Sequence, residues 1–287
     1  METTHVVRVV GSHSPEIPYC SVNESQKQFK VVVIIFCMTY SYIIGSGWFS
    51  DEAGESYLGD AAKSHQSRYG GTVTRNTSFS KIWLEGIMNL SGLPKKIFIS
   101  NADSVDPLHE DVLNHSLVHV SPQLQNFGHS ISCESQNILC GWARGVLHGA
   151  MYAFVNSVDY FVYVEQDVLL VGPDCVNLAI QHMNCVGKNI CFGSGDETPQ
   201  KLQQSFFIVK SSFLPTFISR LISYDNNRGT EENKYFVCFQ NDMTFLPFRG
   251  GRQRLNLDEN NYYKQHMSPA ELALEISKID LNGRRSI

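Results

Sequence analysis

Seventeen residues near the middle of the chain, Ser157 to Pro173 (SVDYFVYVEQDVLLVGP), constrain its fold more than any other stretch. Tyr160 to Val164 is an apolar run of aromatic and β-branched residues, the composition of a strand buried on both faces in the middle of a sheet. Such a strand does not ordinarily run into Glu165-Gln166-Asp167 and resume as Val168-Leu169-Leu170-Val171, because ionised carboxylates beside a buried strand need something to offset their charge. A solvated turn between two strands is one solution. A divalent cation held at the sheet edge is the other.

The rest of the chain bears on that choice. At 287 residues, 43% hydrophobic and 18% charged, it buries a sizeable core. A formal net charge of −5 and a pI near 6.0 offer no bulk attraction to nucleic acid or to an anionic membrane, and nucleic acid is not an expected partner. The eight cysteines are scattered without a Cys-x-x-Cys pair or a zinc-like cluster, which reads as buried thiols in a reducing compartment. The polar residues 1–29, with Pro15 and Pro18, read as a loosely held arm, and residues 30–287 as a single domain. Within the domain a nucleotide-binding half is expected over about 30–173 and an acceptor half over about 174–287. After Lys30 come fourteen uncharged residues, VVVIIFCMTYSYII, too few for a spanning helix of roughly 20. Val31 to Ile35 reads as a central first strand, no transmembrane span is expected, and the expected location is cytoplasmic or peripheral to a membrane.

Strands and helices then alternate. Thr77 to Leu90 carries apolar residues at helical spacing, Lys95 to Ser100 is a short buried strand, and Leu117 to Val120 another. Between Gly141 and Asn156 the residues Ala143, Val146, Leu147, Ala150, Met151 and Phe154 form one apolar stripe, while Gly145, Gly149 and Ala150 permit close approach to a sheet. A helix capped by Asp174, strands at Ile190 to Gly193 and Ser205 to Lys210, and helices over Phe213 to Ile222 and Thr230 to Phe239 complete the alternation. Beyond Pro247 the tail reads as basic and polar, with Arg249, Arg252 and Arg254 as a phosphate-facing flap or a solvated loop. The order predicts an α/β sheet, mostly parallel and flanked by helices.

The unit CGWARGVLHGAMYAFVNSVDYFVYVEQDVLLVGP resembles the core of the GT-A-type glycosyltransferases: a helix opening with small-x-Ala-Arg, a hydrophobic strand, and an acidic-x-Asp motif closing it. The resemblance implies a Rossmann-like GT-A fold and a metal, Mn2+ or Mg2+, bridging the diphosphate of a nucleotide-sugar donor such as a UDP- or GDP-sugar. It implies Asp167 as the direct metal ligand and Glu165, where Asp is usual, as a contact to the metal or the donor ribose. Arg144 would lie near the donor phosphates or base. Thr39, Tyr40 and Ser41, ending the first strand, would meet the nucleobase and ribose, and Asp103 would contact the base. His266 is the C-terminal histidine that would complete the metal shell. Chemistry supports the set independently, since a hard cation offsets the charge gathering on a diphosphate leaving group.

The resemblance implies an acceptor that is a hydroxyl of a glycan, protein or small molecule. An inverting enzyme needs a carboxylate base there, for which Glu231, Glu232 and Asp196 are candidates, with Asp242 a rival. Two alternatives stand beside glycosyl transfer: a sugar-1-phosphate nucleotidyltransferase, and a catalytically silent nucleotide-sugar-binding subunit. The nucleotidyltransferase would carry a Gly-rich phosphate loop after the first strand, whereas TYSYIIGSGW has two glycines and no nearby cation.

Overall fold

The computed structural model of the chain describes residues 40–48, 74–102, 104, 107–123, 141–196, 201–224, 231–251 and 260–283, the last five without their side chains. The expected arm, the strand at Val31 to Ile35, Thr39, Asp103, Arg252 and Arg254 lie outside these residues.

The first described strand, β1 (Tyr42–Trp48), begins where the uncharged run ends. Tyr40 and Ser41 precede this strand, and they stand at the N-terminal edge of the sheet. There Ser41 is tied to the start of a later strand, its backbone N and Oγ donating to Asp159 Oδ2 at 3.0 and 2.7 Å. Helix α1 (Thr77–Met88) follows, capped by Asn76, whose side chain accepts from the Phe79 backbone N. It leads to β2 (Lys96–Asn101), a one-turn helix α2 (Glu110–Leu113) and β3 (Val118–Pro122). Helix α3 (Gly141–Val155) returns the chain to the far side of β1 as β4 (Tyr160–Val164).

Parallel pairing joins β3 to β2, β2 to β1 and β1 to β4. The chain then passes through β5 (Val168–Val171), α4 (Cys175–Cys185), β6 (Ile190–Ser194) and β7 (Leu202–Lys210). A 3-10 turn (Ser211–Phe213), α5 (Leu214–Ser223), α6 (Glu231–Phe239) and β8 (Met243–Phe245) complete the main sheet, whose order is β3-β2-β1-β4-β7-β6-β8. Only β7 runs against the others, being antiparallel to both β4 and β6. The short β9 (Gly250–Gly251) and β10 (Tyr262–Gln265) join β5 in a second sheet, ordered β5-β10-β9, and α7 (Pro269–Gly283) ends the described chain.

The period-2 alternation of the strands divides the core between two faces. Ile44, Ile97, Ile99, Val162 and Val164 pack with α1, α4 and the second sheet, whereas Ile43, Phe98, Phe161 and Tyr163 pack with α3, α5 and α6. Helices thus cover both faces of an open, mostly parallel sheet, the Rossmann-like α/β class expected from the sequence. Helix α3 lies unusually close to β1: a Cβ on Gly145 would stand 3.0 Å from the Gly47 Cα, and one on Gly149 would stand 3.2 Å from the Gly45 Cα. This proximity rotates the helix so that its small residues meet the sheet. Met151 and Phe154, expected on the buried stripe, are consequently about half exposed.

Candidate functional site

Strand order reverses between β1 and β4, since the chain leaves β1 toward β2 and β3 and comes back on the other side. In open α/β sheets the C-terminal ends of the strands flanking such a switch point diverge and leave a crevice. Glu165, Gln166 and Asp167 follow β4 directly at that edge. They form a tight turn, for the Val168 backbone N donates to the Glu165 carbonyl at 3.0 Å. Nor is the turn solvated: Glu165 is 7% exposed, Gln166 4% and Asp167 0%. Three elements hold it. The Glu165 N donates to the Ser205 carbonyl of β7, the Trp83 Nε1 of α1 donates to the Glu165 carbonyl, and β5 continues from it into the second sheet.

That second sheet is what assembles the site. Antiparallel pairing sets Gln265 of β10 opposite Val168 of β5, so Gln265 and the following His266 arrive beside the turn. Nε2 of Gln265 donates to Glu165 Oε2 at 2.9 Å and to Asp167 Oδ1 at 3.1 Å, joining the two carboxylates. Nδ1 of His266 lies 3.3 Å from Asp167 Oδ2. His266 has φ 56°, in the left-handed region that a non-glycine residue rarely adopts, and this backbone turns its ring toward Asp167.

The remaining partner is Arg75, immediately before the Asn76 cap of α1. Its Nε and Nη2 both donate to Asp167 Oδ2, at 3.3 and 3.0 Å, and Nη2 is 4.0 Å from Glu165 Oε1. Burial pushes the Asp167 carboxyl up, but the charges of Arg75 and His266 and the hydrogen bonds from Arg75 and Gln265 outweigh it and hold the group below the ordinary carboxylate range. Burial likewise disfavours the Arg75 charge, and the attraction of Asp167 and Glu165 more than restores it.

Glu165, Asp167 and His266, named from the sequence, are therefore brought together. Arg75 and Gln265 were missed. A signal for Arg75 existed, because a cation directly before a helix N-cap faces the positive end of the helix dipole and needs another reason to be there. Arg144 lies in the first turn of α3 on the same C-terminal edge, partly buried, and its charge joins burial in lowering the pKa of His148 one turn along. Glu231 and Glu232 open α6, and Asp196 follows β6, all on the C-terminal edge but toward β7, β6 and β8. Asp242, just before β8, is at the opposite edge and accepts from Arg220 Nη1 at 2.6 Å. Tyr40 and Ser41 are at that opposite edge as well, apart from Asp167, and the structure does not bring them to the carboxylates.

Two carboxylates and an imidazole are a donor set that suits a hard divalent ion in kind. As the side chains are arranged, no three groups of the ligating types among the described residues form a metal-holding cluster, and the Asp167 oxygens are taken by Arg75 and Gln265. The residue types thus suit an ion, and Arg75 occupies the Oδ2 position that one would take. Among the described residues no helix is long and apolar enough to cross a membrane.

Fold and site together define a Rossmann-like α/β protein with a buried acidic turn at its switch point. No protein-family model matches the sequence, and no curated protein matches it. Among solved structures it is similar to the mannosyltransferase PcManGT from Pyrobaculum calidifontis in complex with GDP-Man and Mn2+, at 7% identity and a TM-score of 0.49 over 88% of this chain and 66% of that one. It is also similar to the inositol-1-phosphate CTP transferase from T. maritima, at 12% identity and a TM-score of 0.46 over 84% and 97% of the respective chains. The glycosyltransferase GlyE from Streptococcus pneumoniae TIGR4 follows at 10% identity and 0.41, over 73% and 45%. Such remote likenesses do not choose a reaction, and the fold class rests on the strand order itself.

Proposed function

We propose that the chain is a glycosyltransferase that moves a sugar from a nucleotide-sugar donor to a hydroxyl acceptor, with Asp167, Glu165 and His266 holding a divalent ion against the donor diphosphate. The observation that carries this reading is the fully buried Asp167 at the switch point, with Glu165 and His266 converging beside it. Maintaining a buried carboxylate there is costly unless a cation is its regular partner. When bound, the ion would offset the negative charge of the departing nucleoside diphosphate. The Glu165-to-Val168 turn fixes where the carboxylates point, and Gln265 keeps both of them on one side. Arg144, on the same edge, is a second positive group for the phosphates, and Glu231, Glu232 and Asp196 are the candidates for accepting the acceptor's proton. Gly45 and Gly47 lie inside β1 facing α3, where they serve packing, which weighs against reading them as the phosphate loop of a nucleotidyltransferase.

A thermal-shift screen of UDP-, GDP- and dTDP-sugars with and without Mn2+ tests the reading. A donor at about 100 times its Kd stabilises the folded state by about 2.7 kcal/mol, which corresponds to a Tm rise of about 5 °C or more. One donor class should produce this rise with Mn2+ present, and Asp167→Ala should abolish it. A wild-type protein indifferent to all three donors, or a variant that responds like wild type, overturns the assignment.

A further inference from the structure

Arg75 covers the acidic turn in a particular way. Asp167 is sealed, with 0% of its side chain exposed, whereas 26% of the Arg75 side chain faces solvent. The guanidinium spends two of its N–H groups on a single carboxylate oxygen, Oδ2, the same oxygen that lies 3.3 Å from His266 Nδ1. The other Asp167 oxygen and one Glu165 oxygen belong to Gln265. Among the described residues Arg75 is the contact of Oδ2 that most faces solvent, so an ion that takes Oδ2 there displaces the guanidinium. A divalent ion brings two positive charges to the oxygen where the guanidinium brings one, and carboxylate oxygens suit it in kind. A displaced guanidinium would still be anchored at the start of α1, whose Asn76 cap fixes its backbone at the mouth of the β1–α1 crossover. Its planar fork matches two phosphate oxygens as well as it matches a carboxylate.

We propose that Arg75 is an exchangeable cation: it occupies Asp167 until a divalent ion takes that position, and it then turns outward to hold the diphosphate of the donor. This rests on the metal and donor reading given above. It has a consequence that a plain structural clamp lacks. Arg75 competes with the ion but assists the nucleotide, so removing its charge must move the two affinities in opposite directions.

The experiment uses the full chain and two binding titrations read by calorimetry: Mn2+ alone, and UDP or GDP at saturating Mn2+. Arg75→Met, which keeps the side-chain length without the charge, should bind Mn2+ at least tenfold more tightly than wild type and the nucleoside diphosphate at least tenfold more weakly. Arg75→Lys, which keeps the charge without the fork, should fall between the two in both titrations, and it carries the test if Arg75→Met does not fold. Unchanged Mn2+ affinity in the folded variants overturns the exchange, as does a loss of both affinities together, the mark of a clamp. Mn2+ binding to neither wild type nor variants overturns the underlying metal site instead. Mn2+ binding that Asp167→Asn leaves intact places the ion elsewhere and overturns both the exchange and the assignment of Asp167 as a metal ligand.

Discussion

Glu275 shows how far the site's geometry depends on a residue outside it. Its carboxylate is fully buried on α7 and accepts from the Tyr262 hydroxyl, from Lys264 Nζ at 3.0 Å and from Lys278 Nζ at 3.1 Å. Tyr262 and Lys264 belong to β10, so one carboxylate fastens to α7 the strand that delivers Gln265 and His266 to Asp167. Burial works to raise the Glu275 pKa, but the hydrogen bonds from Tyr262, Lys264 and Lys278 prevail and lower it. A carboxyl whose folded-state pKa lies below its unfolded value of about 4.3 contributes stability that is complete above that value and is lost as pH falls through the folded one. Glu275→Gln should accordingly lower stability at neutral pH by about 1–3 kcal/mol, and its stability should fall less than that of wild type between neutral pH and acid. Urea unfolding at pH 7 and pH 4 measures both. Equal acid sensitivity in the two proteins would show that the lowered Glu275 pKa contributes nothing to folding.

At the scale of elements, the closest packing is that of α3 on β1. A Cβ at Gly145 would meet the Gly47 α-carbon at 3.0 Å, and that atom is part of a central strand held on both sides, with nowhere to move. Gly145→Ala gains about 1 kcal/mol of helix propensity and loses about 1–3 kcal/mol to overpacking. The expected outcome is a net loss near 1 kcal/mol, a Tm lower by about 2–4 °C, and a higher Tm in the variant would mean that helix and strand are free to separate. The glycines of this helix were legible in the sequence, as were α1, β2, β4, α4 and α6, because each has either a clean period or a punctuated apolar run. The helix's exposed face was not: periodicity reports which residues share a stripe, whereas the small residues decide which stripe meets the sheet, and Met151 and Phe154 lost that competition. Strands β8, β9 and β10 went unread for another reason. At two to four residues each they carry too little periodicity to register, and β10 is recognisable only through its pairing with β5. Glu165 and Asp167 were visible because acids beside a buried strand are conspicuous. Gln265 was not, and for Arg75 its place before the Asn76 cap was the one local signal, since only the fold brings residues ninety or more positions away to the same carboxylate.

For the whole molecule, the main sheet divides the core in two, and the acidic turn lies where one of those cores passes into the second sheet. Val162 and Val164 of β4, Val168 to Val171 of β5, Tyr262 and Tyr263 of β10, and Cys175 and Cys191 all belong to that core. If the two sheets fold as one unit, its buried thiols must become accessible together. Burial pushes both Cys175 and Cys191 up to about 12, so at pH 8 roughly one molecule in ten thousand carries either thiolate, and neither is exposed. Cys185, at the end of α4, is exposed. Alkylation of the native chain at pH 8, read by peptide mapping, should therefore mark Cys185 and spare Cys175 and Cys191. With rising urea the two protected thiols should gain label over the same range in which the helical signal is lost, because Cys175 packs against the second sheet through the Tyr262 carbonyl while Cys191 lies in β6 of the main one. Labelling of Cys175 at a lower urea concentration than Cys191 would show that α4 and the second sheet come away first. His266 and Gln265 would then leave Asp167 before the main sheet opens, and the site would be the least stable part of the fold.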